Sequence, residues 1–131
     1  MISRRRSTRA RSAALVCGLL IMLALSLPSR DAGAHAFVSR TEPRSGATVS
    51  EAPTVVRIWF DGPVESMFVD IRVEDGAKRR VDRGDGRRSQ ADSTLVEVGL
   101  TPLAPGRYRV FWSVIARDGH AREGSFSFLL K

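Results

Sequence analysis

The sequence from His35 to Lys131 predicts an all-β domain, an immunoglobulin-like Greek-key sandwich or barrel of about seven short strands. Two observations lead to this prediction. Short runs rich in valine, isoleucine, phenylalanine and tryptophan recur between clusters of glycine, proline and aspartate. No stretch keeps the 3.6-residue period of an amphipathic helix. Short strands separated by regular turn signals are typical of two packed antiparallel sheets.

The predicted strands differ in how clearly they are marked. The sixth is the clearest, because every second residue of 107–115 is apolar and one face must then point into the core, with Trp112 on that face. Asp75-Gly76 is a tight hairpin signal between the third and fourth strands, and 82–93 is a long polar loop. The seven strands are predicted near 37–40, 55–60, 68–74, 78–81, 94–98, 107–115 and 125–130.

Residues 1–34 have the three parts of a cleaved export signal. An arginine-rich start precedes an apolar run over 13–27, and the small residues Ala32-Gly33-Ala34 form a cleavage site. A membrane anchor is the competing interpretation, but the run is shorter than the ~20 residues that span a bilayer. We therefore predict a signal peptide over 1–34 and a periplasmic or otherwise extracytoplasmic mature domain over 35–131. The export route, general or twin-arginine, stays open.

Charge and motifs exclude several classes of function. The chain has 21 basic and 14 acidic residues, but 1–34 holds six of the arginines, and 35–131 is left with 15 basic and 13 acidic residues. The arginines of 79–88 alternate with aspartates and have no neighbouring aromatic residue to stack on bases, so no nucleic-acid partner is predicted. Glycine-rich phosphate loops, nucleophile elbows and CxxC pairs are absent from the sequence. We predict that the protein is not an enzyme.

Two histidines are the candidate functional residues. His35 begins the predicted mature chain, where its amine and ring can chelate one metal ion. Asp118 and His120 flank Gly119. In an extended segment they project to the same side, and Gly119 also lets the backbone approach closely or bend. Each histidine taken singly is more often a surface or hydrogen-bonded residue. Together they offer three nitrogens and one oxygen, which suits tetragonal Cu(II) better than zinc or Cu(I), so we predict one Cu(II) per chain.

Two segments carry a resemblance to a known family. The sequence resembles the CopC family of bacterial periplasmic copper-binding proteins in HAFVSRTEPRSGATVSEAPTVVRIWFDGPVE and in LAPGRYRVFWSVIARDGHAREGSFSF. The resemblance implies a small Greek-key β-barrel or sandwich and a role in copper homeostasis or resistance. It also implies transfer of copper to a membrane partner of the CopD type. The family's Cu(II) ligands fall on His35, Asp118 and His120, and we expect a monomer.

The sequence departs from the family pattern at two places. Some members bind Cu(I) through a methionine-rich segment, whereas Met67 is the single methionine of 35–131, so only the Cu(II) site is expected. Members often have a glutamate before the proline of the stretch that reads Phe60-Asp61-Gly62-Pro63 here. Asp61 is either a residue that supports the ligands from behind or an exposed loop acid. It is not included among the ligands.

Two other classes of protein compete with a copper carrier. A terminal histidine and a second histidine also form the copper histidine brace of lytic polysaccharide monooxygenases, but Asp118 would fill the position that oxygen activation needs open. The other alternative is an immunoglobulin-like adhesion module, for which binding would not depend on metal. Replacing His35 or blocking its amine distinguishes the adhesion module from both copper proteins.

Overall fold

A computed structural model describes residues 37–131, which form two four-stranded sheets packed face to face. The strands are β1 (Val38–Glu42), β2 (Thr48–Val49), β3 (Val55–Phe60), β4 (Asp70–Glu74), β5 (Arg87–Arg88), β6 (Leu95–Gly99), β7 (Gly106–Ile115) and β8 (Ala121–Leu130). The first sheet has the order β1-β3-β6-β5 and the second β2-β8-β7-β4. Within the described residues, no helix is long and apolar enough to cross a membrane. The predicted all-β sandwich is confirmed, with eight strands where about seven were expected. The predicted signal peptide and His35 lie outside the described residues.

The core lies between the two sheets and is built by alternate residues of five strands. Period-2 geometry sends every second side chain inward, so the apolar alternation of the sequence becomes an alternation of burial. Tyr108 stacks on Phe128 with 5.3 Å between ring centroids, and its hydroxyl donates to the Ala104 carbonyl, as in the tyrosine corner of immunoglobulin-like domains. The main core residues are Val56, Ile58 and Phe60 of β3, Ile71 and Val73 of β4, Val96 and Val98 of β6, Tyr108, Val110 and Val114 of β7, and Phe126, Phe128 and Leu130 of β8.

The long hairpin of β7 and β8 determines where the site residues lie. Its register runs from Gly106 opposite Leu130 to Ile115 opposite Ala121, and the turn 116–120 joins the strands at one end of the sandwich. β8 begins four residues earlier than predicted. Pairing with β7 extends the strand through a polar segment that has no apolar alternation of its own.

The predicted strand at 78–81 is wrong. Only Arg80 forms an isolated bridge there, opposite Glu74. The Asp75 carboxylate accepts hydrogen bonds from the Ala77 and Arg79 amides at 2.9 Å, so these donors bond to a side chain and not to a neighbouring strand. The predicted turn at Asp75-Gly76 is present, but it leads into a loop.

Two short strands were not predicted. β5 lies inside the segment expected to be a polar loop, and it pairs with β6, where Arg87 forms an ion pair with Glu97 at 2.9 Å. β2 pairs in parallel with the end of β8. Both strands have two residues, too few for an alternating pattern to be seen in the sequence.

Trp112 packs against the core but is half-buried, where the sequence predicted a core position. Its ring meets Phe60 edge-on, with 5.2 Å between centroids. Gly124 lies directly opposite on β8, and a Cβ atom there would be 2.6 Å from Cζ2 of the indole. The missing side chain of Gly124 therefore makes room for the indole.

Asp82 holds the loop after β4 against the second sheet. Its side chain is fully buried and accepts hydrogen bonds from the Val73 amide at 2.8 Å, the Gly84 amide at 3.0 Å and the Arg80 guanidinium at 2.9 Å. Burial raises the pKa of the Asp82 carboxyl, but these hydrogen bonds together outweigh it and hold the pKa below its ordinary value. Asp82 is therefore an anion in the folded protein at neutral pH.

Candidate functional site

The turn 116–120 carries the two described residues of the predicted copper site. The Ala116 amide donates to the His120 carbonyl at 2.9 Å, and the Gly119 amide donates to the Ala116 carbonyl at 2.8 Å. Gly119 has a φ of 82°, a conformation that glycine adopts at little cost. Asp118-Gly119-His120 is therefore a tight turn, the bend that Gly119 permits, and not an extended segment.

This turn brings the side chains of Asp118 and His120 together. One carboxylate oxygen of Asp118, Oδ1, accepts a hydrogen bond from the His120 amide at 2.9 Å, and the other, Oδ2, lies 3.2 Å from Nδ1 of the imidazole. The two side chains differ in exposure, 12% for Asp118 and 69% for His120. The largely buried carboxylate of Asp118 holds the pair in place, whereas the imidazole of His120 is exposed to solvent.

The electrostatic environment keeps Asp118 ionised. The hydrogen bond from the His120 amide is the largest influence on its carboxyl, and the imidazole and the Arg122 guanidinium, 4.0 Å away, act in the same direction. Together they outweigh burial and hold the pKa of Asp118 below its ordinary value. A carboxylate anion beside an imidazole is a hard oxygen ligand next to a nitrogen ligand, the kind of pair that divalent first-row metals bind.

The spacing of the two side chains suits a shared metal ion. Nitrogen and oxygen ligands lie about 2.0–2.2 Å from an ion such as zinc, so adjacent ligands are roughly 3 Å apart. Oδ2 of Asp118 and Nδ1 of His120 are 3.2 Å apart. Residues 37–131 contain no group of three or more histidine, cysteine, aspartate or glutamate side chains that could hold a metal ion. The other donors of the predicted set belong to His35, which is not among the described residues.

Asp61 holds the segment that precedes β1. The Phe37 amide donates to Oδ1 of Asp61 at 2.7 Å, and the Asp61 amide donates to the Phe37 carbonyl at 2.8 Å. Both main-chain groups of Phe37 are thus bound by one residue, two positions after His35. The sequence left open whether Asp61 supports the site or is an exposed loop acid. It is exposed, and its carboxylate accepts a hydrogen bond from a residue 24 positions away, which no local pattern reveals.

The loop that contains Asp61 also contacts the 116–120 turn. The Arg117 amide donates to the Pro63 carbonyl at 3.2 Å, and Val64 forms a bridge with Ala116. The Glu65 amide adds a hydrogen bond to the last residue of β7 at 2.8 Å. Residues 61–65 therefore join the beginning of the described chain to the turn that carries Asp118 and His120.

Comparison with known proteins shows similarity over most of the chain. The sequence-family model of the CopC domain matches residues 38–131. Protein YobA of Escherichia coli K12 is 29% identical over 113 residues, which cover 86% of this chain and 91% of YobA. Copper resistance protein C of Xanthomonas campestris pv. juglandis is 29% identical and covers 86% of this chain and 92% of its own length. Copper transport protein CutJ of Bacillus subtilis is 28% identical over 84% of this chain, but the match spans only 20% of CutJ.

Solved structures give the same result for the fold. The crystal structure of CopC from Methylosinus trichosporium OB3b superposes with a TM-score of 0.69 and 27% identity, covering 74% of this chain and 94% of that protein. PcoC, a copper resistance protein from Escherichia coli, superposes with a TM-score of 0.64, covering 72% of this chain and 99% of PcoC. At 20% identity, PcoC supports the fold alone. The match to the CopC domain over residues 38–131 establishes that the chain belongs to the CopC family.

Proposed function

We propose that this protein is an exported copper carrier that binds one Cu(II) through the amine and ring of His35, the carboxylate of Asp118 and the imidazole of His120. The observation that carries the proposal is the contact of 3.2 Å between Asp118 and His120, in a turn bonded to the same loop that holds Phe37. Membership of the CopC family and the copper resistance and copper transport proteins among its relatives support copper as the cargo.

The described residues explain how such a site would be ready for the metal. The 116–120 turn fixes Asp118 and His120 before copper arrives, so little conformational entropy is lost on binding. The exposed imidazole is accessible for both uptake and release. The terminal amine exists only after cleavage following Ala34, which links metal binding to export. In an uncleaved chain this nitrogen is an amide.

The carrier role also includes delivery of the metal. We propose that copper passes to a membrane partner of the CopD type and that the protein acts in the periplasm, in copper homeostasis or resistance. The match to one fifth of the longer copper transport protein CutJ supports a link between this domain and transport. We propose a carrier and not an oxidative enzyme, because Asp118 would occupy a coordination position that oxygen activation requires to be open.

The test is Cu(II) titration with electron paramagnetic resonance. The full chain is expressed and exported, and the processed protein is purified with its first residue verified by mass spectrometry. We expect one equivalent of tetragonal Cu(II) with nitrogen and oxygen ligands. A matched protein that keeps one extra alanine before His35 should lose or reshape this signal. Equal binding by the two proteins would remove the terminal amine from the site and overturn the proposal.

Ligand variants separate a loss of metal binding from a loss of the fold. His120→Ala and Asp118→Ala should each weaken Cu(II) binding at least tenfold, since each removes one donor atom. Asp75→Ala is the matched control for Asp118, because the Asp75 carboxylate also accepts a hydrogen bond from the amide two residues later, at 2.9 Å. Asp75 directly follows β4, and its neighbour Glu74 pairs with Arg109, near the opposite end of β7 from the turn. Its variant should bind copper normally.

A further inference from the structure

We infer that Asp61 is a positioning residue for copper, which acts by holding the Phe37 amide and thereby limiting where His35 can lie. The inference rests on the proposed function, because it concerns the terminal half of the same site. Asp61 is not assigned a bond to the metal. Its effect is transmitted through two residues of chain.

The geometry of the contact makes Phe37 an anchor point. In an antiparallel ladder the Phe37 amide would donate to a main-chain carbonyl on the neighbouring strand. Here it donates to the Asp61 carboxylate at 2.7 Å, while the Asp61 amide bonds the Phe37 carbonyl at 2.8 Å. The carboxylate thus extends the pairing of β1 with β3 one residue beyond Val38, whose partner is Phe60.

The length of chain between Phe37 and His35 is short enough for this anchor to matter. Two residues of extended chain span at most about 7 Å. A Phe37 held at both its main-chain groups therefore limits where His35 can lie. Without the carboxylate contact the bond to the Phe37 carbonyl remains, but the φ angle of Phe37 is no longer held, which adds a soft dihedral angle to the terminal segment. Ordering that segment on metal binding then costs additional conformational entropy.

The loop that contains Asp61 also contacts the turn that carries the other two proposed ligands. Asp61 begins the loop that continues to Pro63 and Val64, and these two residues bond Arg117 and Ala116 of the turn. Phe37 and the 116–120 turn are thus both bonded to one short loop. The bond from the Asp61 amide to Phe37 uses main-chain atoms, so a side-chain substitution removes the carboxylate contact and leaves the strand pairing.

The experiment compares Asp61→Ala and Asp61→Asn in the processed protein, with Cu(II) as the probe. Removing a group that orients a metal ligand typically lowers metal affinity 10- to 100-fold, and because Asp61 is exposed we expect Asp61→Ala to cost about tenfold. Asp61→Asn keeps an oxygen acceptor for the Phe37 amide, so its affinity and spectrum should stay within about twofold of the unsubstituted protein. Hydrogen exchange of the Phe37 amide should be faster in the alanine variant alone.

The protein with one extra alanine before His35 is the control that distinguishes a positioning role of Asp61 from a purely structural one. Its terminal amine is displaced, so Asp61→Ala should change its weaker copper binding less than twofold. An equal loss in both proteins would show that Asp61 does not act through the terminus and would overturn the inference. So would an asparagine variant as weak as the alanine variant, because charge and not the hydrogen bond would then be responsible.

The remaining outcomes separate this inference from the proposed function. If the unsubstituted protein binds copper in an amine-dependent manner and Asp61→Ala leaves affinity and spectrum unchanged, only the positioning role is overturned. If the unsubstituted protein has no amine-dependent copper site, both are overturned. Failure of the alanine variant to fold leaves the decision to the asparagine variant and to the exchange rate of its Phe37 amide.

Discussion

Replacing Gly124 with alanine should destabilise the protein through a single contact. The added Cβ would lie 2.6 Å from Cζ2 and 2.9 Å from Cε2 of Trp112, well inside the usual separation of about 3.5–4.0 Å between carbon atoms. The indole must then move by roughly 1 Å, and its edge-on contact with Phe60 limits that movement. Overpacking of this kind costs about 1–3 kcal/mol.

Steric crowding and conformational entropy change the stability of Gly124→Ala in opposite directions. Glycine inside a strand is worse than alanine by roughly 0.5–1 kcal/mol in conformational entropy, so Gly124→Ala would stabilise the protein if space were free. We expect a net loss of about 1 kcal/mol, which lowers Tm by roughly 4–8 °C in a domain of this size. Gly76→Ala is the control, since the nearest atom to a Cβ there is the Arg107 carbonyl oxygen at 4.0 Å.

A double-mutant cycle measured by thermal and urea unfolding tests the cause. Trp112→Leu removes the indole atoms that a Cβ at position 124 would meet. In that background, Gly124→Ala should be neutral or stabilising, which gives a coupling free energy of about 1–2 kcal/mol. A Gly124→Ala variant as stable as the parent, or one that loses the same stability with and without the indole, would refute the steric explanation.

Three further predictions follow from the loops and from the proposed ligands. Asp82→Ala should cost about 3 kcal/mol at pH 7, because the buried Val73 amide loses its acceptor and charge-assisted bonds are lost. Folding lowers the pKa of Asp82, so its contribution to the free energy of unfolding is complete above the unfolded pKa of about 3.9 and is lost as pH falls through the folded pKa. Urea unfolding should therefore show a smaller difference in stability between variant and parent at pH 3 than at pH 7. Gly119→Ala should cost about 1–2 kcal/mol in the same assay because of its φ of 82°, and Gly119→Asn should cost less; equal costs would contradict a conformational cause. Cu(II) affinity should fall between pH 7 and pH 5 in a competition titration, because protons compete for the amine and imidazole nitrogens, and a flat profile would count against these ligands.

The parts of the fold that could be predicted are those with enough alternating residues to show a period. In β3, β6 and β7 every second side chain points inward, and the inward positions are apolar. This alternation can be read from the sequence alone. β5 has two arginines and no such pattern. It is a strand because β6 offers an edge and Glu97 offers a carboxylate, and both lie elsewhere in the chain.

The candidate site shows the same division between local and distant causes. The meeting of Asp118 and His120 could be expected from their spacing, although the cause is a glycine turn and not an extended strand. The hydrogen bond between Asp61 and Phe37 could not be expected, because 24 residues separate them and only the pairing of β1 with β3 brings them into contact. Residue type suggests chemistry, whereas the partner of an exposed carboxylate depends on topology.

The ten-residue hairpin strands give the molecule two ends with different uses in the laboratory. β8 leaves the 116–120 turn at Ala121 and reaches Leu130 about 30 Å away, at about 3.3 Å per residue. A fluorophore, an affinity handle or a sensor surface attached beyond Lys131 is therefore held far from Asp118 and His120. The same attachment before His35 would replace the amine of the proposed site. Immobilisation through the carboxyl-terminal end is thus the orientation in which the 116–120 turn faces the solution.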